Sequence, residues 1–142
     1  MSNKTYQIII PVDFGEQSLI AVRQSFNMAK LTSSELTLLH VIDNDLKNVL
    51  QSKIFTKSDL QEQHLAGIEE QLEELANQIR QESGVKVNTR IMEGKIYDAI
   101  VDVSAEEDAG LIIMGTMGAV GLKKRILGSN ASRVVREAVC PV

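Results

Sequence analysis

A glycine-rich stretch, residues 115–130, constrains the fold of this chain more than any other feature. An apolar run (111–114) precedes the stretch and an amphipathic segment (131–139) follows it. This succession predicts a strand, a loop and a helix, because glycines let the backbone turn sharply and approach a ligand closely. The helix would present unpaired amides and the positive end of its dipole to the loop. The stretch therefore predicts an anion site, and phosphate is the usual anion at such a place.

The spacing of the glycines is more specific than that of an ordinary strand-to-helix loop. Gly115, Gly118 and Gly128 are followed by Ser129, which gives the pattern Gly-x2-Gly-x9-Gly-Ser. The Gly-x-x-x-x-Gly-Lys-Ser/Thr of a Walker A loop is absent, and so is the Gly-x-Gly-x-x-Gly of dinucleotide folds. Three basic residues at 123–125 have two interpretations, since they would either neutralise phosphates or form a solvated turn.

Composition narrows the class of protein. The 142 residues are 44% hydrophobic and 24% charged, which fits one globular domain over residues 1–142. A net charge of −4 argues against a broad electrostatic grip on nucleic acid. Cys140 is the one cysteine, so a reducing, cytoplasmic compartment is expected. No apolar run approaches the ~20 residues that span a bilayer, and the first apolar run is too brief for a signal peptide. No membrane partner is expected.

The rest of the chain alternates between predicted strands and helices. Strands are predicted over residues 6–12, 35–42, 85–92 and 109–114, with the third nearest an edge. Helices are predicted over residues 17–31 and 131–139. A longer helix is predicted to begin at a capping box that starts with Ser58 and to end at a C-cap at Gly84, and a further helix is predicted to begin at Ile96. Apolar residues at helical spacing, such as Leu19 and Leu65, are expected to face the sheet. Residues 43–56 are predicted to form a polar loop, and residues 140–142 to open a fifth strand that the chain cuts short.

This alternation predicts an α/β fold with a doubly wound parallel sheet and helices on both faces. Ligands in such sheets lie beyond the carboxyl ends of the strands, where the strand order reverses. The first, second and fourth strands end at Asp13, Val41 and Gly115, so neighbouring first and fourth strands would bring the three together. Two interpretations of Asp13 stay open. It is either a turn or N-cap aspartate, or a carboxylate that binds ribose hydroxyls or helps to hold a metal.

The glycine pattern resembles the nucleotide-binding signature of the universal stress protein family, Gly-x2-Gly-x9-Gly-Ser/Thr. The resemblance extends to Ile-Ile-Ile-Pro-Val-Asp at 8–13, Leu-Leu-His-Val at 38–41 and the ending at 134–142, and so covers essentially the whole chain. It implies a five-stranded sheet in the order 3-2-1-4-5, with the fifth strand truncated here. It also implies ATP with Mg as the ligand, a nucleotide-responsive stress-response module, and a homodimer formed through the fifth strand.

The resemblance further implies which residues bind the nucleotide. Pro11 and Val12 would line an apolar adenine pocket, and Val41 would offer main-chain groups to the adenine edge. Ser129 would cap the last helix, bind phosphate, or do both, and Mg would lie near Asp13. The full set of implied nucleotide-binding residues is Pro11, Val12, Asp13, Val41, Met114, Gly115, Thr116, Gly118, Gly128, Ser129 and Asn130.

Catalytic chemistry is not indicated by the sequence. No carboxylate pair stands out for acid–base work, and Cys140 lacks a motif for nucleophilic attack. His40 is interpreted as a half-buried strand residue and His64 as exposed, so the two make no metal cluster with Cys140. Binding without efficient turnover is therefore expected. The alternatives are a nucleotide-free dimeric interaction scaffold and a slow ATPase. Phe14, next to Asp13, would either cover the crevice or crowd a nucleotide.

Overall fold

The computed structural model describes residues 5–43, 57–116 and 129–142. Four strands and four helices alternate along this described part of the chain. Their bounds are β1 (Gln7–Pro11), α1 (Glu16–Thr32), β2 (Glu35–Asp43), α2 (Lys57–Ser83), β3 (Val87–Gly94), α3 (Ile96–Glu106), β4 (Leu111–Ile112) and α4 (Ser129–Glu137).

The four strands form one parallel sheet in the order β3-β2-β1-β4. β1 and β4 are neighbours, and β3 lies at an edge, as expected from its more polar face. The chain moves outward from β1 to β2 and β3, and then crosses back to place β4 on the other side of β1. The strand order therefore reverses between β1 and β4, and the predicted doubly wound arrangement is confirmed.

Two apolar layers enclose the sheet because the side chains of each strand alternate between its faces. Ile8 and Ile10 of β1 pack with α1 and α2, whereas Ile9 packs with α3 and α4. The layer between the sheet and α1/α2 contains Ile8, Ile10, Val12, Ala21, Val22, Ala29, Leu36, Leu38, Leu72, Ala76, Ile79 and Val87. The layer between the sheet and α3/α4 contains Ile9, Leu39, Ile100, Val103, Ala109, Ile112 and Val134.

The edge of the sheet at β4 carries no complete fifth strand, in keeping with the expected truncation. Only four strands are present in the described residues, and β4 covers two residues of the predicted 109–114. The C-terminal segment nevertheless lies beside β4, because the Ile112 N–H donates to the Pro141 carbonyl at 2.9 Å. One hydrogen bond places this segment at the fifth position without forming a strand ladder.

The helices differ from the sequence interpretation in which residues they bury and in where α2 begins. Leu19 and Leu65, expected to face the core, are 36% and 38% exposed. On α1 the buried face instead includes Ser25, whose hydroxyl donates to the Val22 carbonyl within the helix, so a small polar residue can be buried there. α2 begins at Lys57, so Ser58 is not its N-cap. Within the described residues, no helix is both long and apolar enough to cross a membrane.

Candidate functional site

β1 is paired to unequal lengths with its two neighbours at the carboxyl edge of the sheet. Its ladder with β2 runs to Pro11, and the Val12 N–H then donates to the Leu39 carbonyl at 2.8 Å. Its ladder with β4 ends at Ile9, followed by a 3.0 Å bond from the Ile113 N–H to the Ile9 carbonyl. The β1–β4 ladder therefore ends before the β1–β2 ladder does, at the point where the strand order reverses, which is where ligands bind in such sheets.

Apolar side chains implied for adenine binding lie at this edge. Val12 is buried, and Pro11, Val41 and Met114 are half-buried. Val41 and Met114 both pack against the layer beneath α3 and α4, so they approach this edge from one face of the sheet. The half-buried surface they present is the kind that a flat aromatic base can cover.

Two residues that no sequence pattern indicated belong to the same apolar surface. Met92 and Tyr97 are half-buried and pack against the same layer as Val41. Met92 is the register partner of Val41 in the β2–β3 ladder, and Tyr97 lies in the first turn of α3. The predicted strand over 85–92 ended at Met92, so the sequence already placed Met92 at a strand end. Its pairing with Val41 became known only from the register of the ladder.

The backbone after β1 forms a tight turn that places Asp13. The Asp13 carboxylate accepts a bond from the Gly15 N–H at 2.9 Å, and the Asp13 N–H donates to Ser18 Oγ at 3.3 Å. Gly15 is the N-cap of α1, so the N-cap interpretation of Asp13 is wrong and the turn interpretation is confirmed. Binding of ribose or a metal stays a prediction. It is compatible with the turn, because Asp13 is exposed and a carboxylate has about four acceptor positions.

Phe14 adopts a left-handed backbone conformation with φ of 63°, which is uncommon for an aromatic residue. Its ring packs against the layer beneath α1 and α2 and lies 5.3 Å from the His40 ring, with the planes tilted by 34°. The ring is therefore held on the opposite face of the sheet from Val41 and Met114. His40 is half-buried, as the sequence indicated.

Gly115 follows β4 and packs against the first turn of α1. A β-carbon built on Gly115 would lie 2.9 Å from Gln17 Cβ and 3.1 Å from the Gln17 carbonyl carbon. The packing of α1 therefore favours a residue without a side chain at position 115, independently of any ligand. Thr116, the next residue, is exposed.

The far end of the glycine-rich stretch leads into α4, which begins at Ser129 and contains the half-buried Asn130. Gly118, Gly128, the basic residues 123–125 and the side chain of Ser129 lie outside the described residues, so their predicted contacts stay predictions. α4 is joined to α3 by Arg133, whose guanidinium carbon lies 4.6 Å from the centroid of the Tyr97 ring. This cation–π contact holds the middle of α4 next to the apolar surface that contains Tyr97.

Titratable side chains in the described part of the chain bear on metal binding and on nucleophilic attack. No group of three or more His, Cys, Asp or Glu residues is arranged there to hold a metal ion. Cys140 is half-buried, and burial raises the pKa of its thiol, which disfavours the nucleophilic thiolate at neutral pH. A divalent ion at this edge would therefore need ligands from the nucleotide as well as from Asp13.

Comparison with known sequences identifies relatives along nearly the whole chain. The sequence model of the Universal stress protein family matches residues 5–142. Universal stress protein MJ0531 of Methanocaldococcus jannaschii is 32% identical over 136 residues, which cover 96% of this chain and 79% of the relative.

Solved structures give the same result for the fold. The structure of MJ0577, a universal stress protein of the same organism, superposes with a TM-score of 0.83 and 28% identity over 96% of this chain and 92% of that one. The universal stress protein of Archaeoglobus fulgidus in complex with dAMP superposes with a TM-score of 0.68 and 20% identity over 98% of this chain and 95% of that one. With the sheet order and the glycine pattern, these matches show that the chain belongs to the universal stress protein family.

Proposed function

We propose that this chain binds ATP, accompanied by Mg²⁺, in the crevice between β1 and β4, and acts as a nucleotide-responsive module in a stress response. The observation that carries the proposal is that the β1–β4 ladder stops short of the β1–β2 ladder at the switch point, where the half-buried Pro11 and Met114 and the exposed Asp13 lie at or just after the strand ends. The Archaeoglobus fulgidus neighbour bound to dAMP supports an adenine nucleotide as the class of ligand.

Each part of ATP meets a suitable chemical group in this arrangement. The adenine ring would lie against Pro11, Val41 and Met114, and the ribose hydroxyls would donate to Asp13. The triphosphate would extend toward the start of α4, where helix amides and dipole favour an anion. Mg²⁺ prefers oxygen ligands and is often held by one or two carboxylates together with phosphates, so Asp13 and the triphosphate form a fitting ligand set.

Isothermal titration calorimetry with ATP and Mg²⁺ tests this proposal. Gly118→Val introduces a side chain into the glycine pattern and is expected to weaken binding at least about tenfold, or ~1.4 kcal/mol. Gly67→Val is the matched control, because Gly67 lies on α2 with open space around its Cβ position, and it should bind as the wild type does. Absence of ATP binding by the wild type, or equal affinity of both variants, would contradict the proposed site.

The edge beside β4 supports a second proposal, that the chain forms a homodimer. Val139 and Val142, which flank the Pro141 bond to β4, are 76% and 43% exposed. Apolar residues at an open sheet edge are a liability that pairing with another chain removes. A two-fold axis at this edge would let the same segment cover itself, as closed dimers generally do.

A further inference from the structure

Two adjacent residues of β2 hold the last residue before the Asp13 turn. The Leu39 carbonyl accepts the Val12 N–H at 2.8 Å, and Nδ1 of His40 lies 2.7 Å from the Val12 carbonyl oxygen. Both polar groups of the Val12 peptide backbone are thus engaged by β2. The second contact uses a side chain, so it depends on the identity of the residue at position 40.

The chemistry of this contact fixes the role of the imidazole. A carbonyl oxygen only accepts hydrogen bonds, so His40 Nδ1 carries the proton and donates it to Val12. The same ring contacts Phe14, with centroids 5.3 Å apart. His40 therefore touches the residue before Asp13 through a hydrogen bond and the residue after Asp13 through its ring.

The conformation of the turn shows why such a support matters. Phe14 has a φ of 63°, and a bulky residue in the left-handed region is strained and persists only where its surroundings hold it. The Phe14 ring is held by His40 and by the layer beneath α1 and α2. The Gly15 N–H that binds the Asp13 carboxylate follows directly, so the orientation of that carboxylate depends on the same turn.

We propose that His40 is a positioning residue for nucleotide binding, which holds the turn from Val12 to Gly15 so that Asp13 presents its carboxylate to the ribose hydroxyls. This inference rests on the proposed function of the β1–β4 crevice. It assigns His40 no contact with the nucleotide. Its effect passes through Asp13, so it concerns selection for a ribose with free hydroxyls and not affinity for adenine or phosphate.

Two substitutions separate the contacts of His40. His40→Phe keeps a ring against Phe14 but removes the N–H donor to Val12. His40→Asn removes the ring but places an amide nitrogen near the position of Nδ1, where it can donate to the same carbonyl. Both variants and the wild type are titrated by calorimetry with Mg²⁺ and either ATP or 2′,3′-dideoxy-ATP, which lacks the two hydroxyls, after urea denaturation has shown that each is folded.

His40→Phe is expected to raise the Kd for ATP about three- to tenfold, the range for loss of one supporting hydrogen bond, and to leave the Kd for the dideoxy analogue nearly unchanged. His40→Asn should recover most of the ATP affinity. In an Asp13→Ala background, His40→Phe should have no further effect, because the two residues act in one chain of contacts. A merely structural role would weaken both ligands equally, and that result, or unchanged ATP affinity in His40→Phe, would overturn the inference.

The Gly15 amide resonance gives a readout that needs no nucleotide. Its ¹⁵N and ¹H shifts report the bond to Asp13 and should move in His40→Phe but stay close to wild type in His40→Asn. If the wild type binds neither nucleotide, the proposed function fails and the ribose selection fails with it. If the wild type binds ATP selectively over the analogue and His40→Phe does the same with an unmoved Gly15 resonance, only the positioning role is wrong.

Discussion

Gly115 and Gln17 are packed so closely that a β-carbon on Gly115 would lie 2.9 Å from that of Gln17. The chain after β4 and the first turn of α1 are thereby in contact at the end of the sheet. The glycine that opens the nucleotide-binding signature therefore has a packing role of its own. Substitution at this position changes the fold locally before it changes any ligand contact.

Gly115→Ala is expected to lower the free energy of unfolding by about 1–3 kcal/mol, because the methyl group forces α1 and the chain after β4 apart. Urea denaturation measures the change. Gly67→Ala, at an open position on α2, is the matched control and should be neutral or stabilising by up to about 1 kcal/mol. Equal stability of the wild type and Gly115→Ala would mean that the contact with Gln17 relaxes without cost.

Thr37→Val should also destabilise the protein, by about 1–2 kcal/mol. Thr37 is fully buried, and its hydroxyl lies 3.1 Å from Gln7 Oε1 and 2.9 Å from Glu107 Oε1, so valine removes a donor and keeps the shape. Thr89→Val on β3 is the control, because it makes the same substitution at a half-buried strand position. Thermal unfolding of both variants would show no difference if the Thr37 bonds contribute nothing.

ATP turnover is expected to be far slower than the ordinary enzyme range of about 1 per second. The reason is that no carboxylate pair or nucleophile motif stands out in the sequence for acid–base or nucleophilic work on ATP. Phosphate release under multiple-turnover conditions measures the rate. Turnover at enzyme rates that Gly128→Val abolishes would contradict this expectation and favour the ATPase alternative.

Val139→Lys should weaken self-association if the dimer forms at the β4 edge, because a charge would be buried where two apolar segments meet. Sedimentation velocity over a concentration series measures the shift in the monomer–dimer equilibrium. Leu31→Lys changes a residue on α1 that is 83% exposed, and serves as the control with unchanged association. A wild-type chain that stays monomeric at high concentration would contradict the homodimer.

The sequence predicted the fold class well because apolar residues dominate the segments that form β1 and β2, and such segments alternate with amphipathic ones along the chain. It predicted the faces of the helices less well, since Leu19 and Leu65 follow the helical period but the buried face of α1 includes small residues such as Ser25. β4 is shorter than its apolar run because a strand requires a partner, and β1 pairs with it only as far as Ile9.

The candidate site was predicted in part for a similar reason. Asp13 and Gly115 follow apolar runs and Val41 lies near the end of another, so a parallel topology brought them to one edge. The Gly115 contact with Gln17 and the His40 contact with Val12 join residues far apart in sequence, and no local pattern encodes either one. The left-handed conformation of Phe14 was equally hidden, because aromatic residues rarely adopt it.

The unequal ladders of β1 have a consequence for local opening of the sheet. β1 pairs with β2 at five register positions and with β4 at two. Because fewer pairs hold β4, β4 and the chain after it can detach while the β1–β2 pair persists. Amide hydrogens of β4 should thus exchange with solvent sooner than those of β2. A molecule that contacts both Asp13 and the residues after Ile113 would restrain that opening. Slower exchange of the β4 amide hydrogens would therefore indicate that such a molecule is bound.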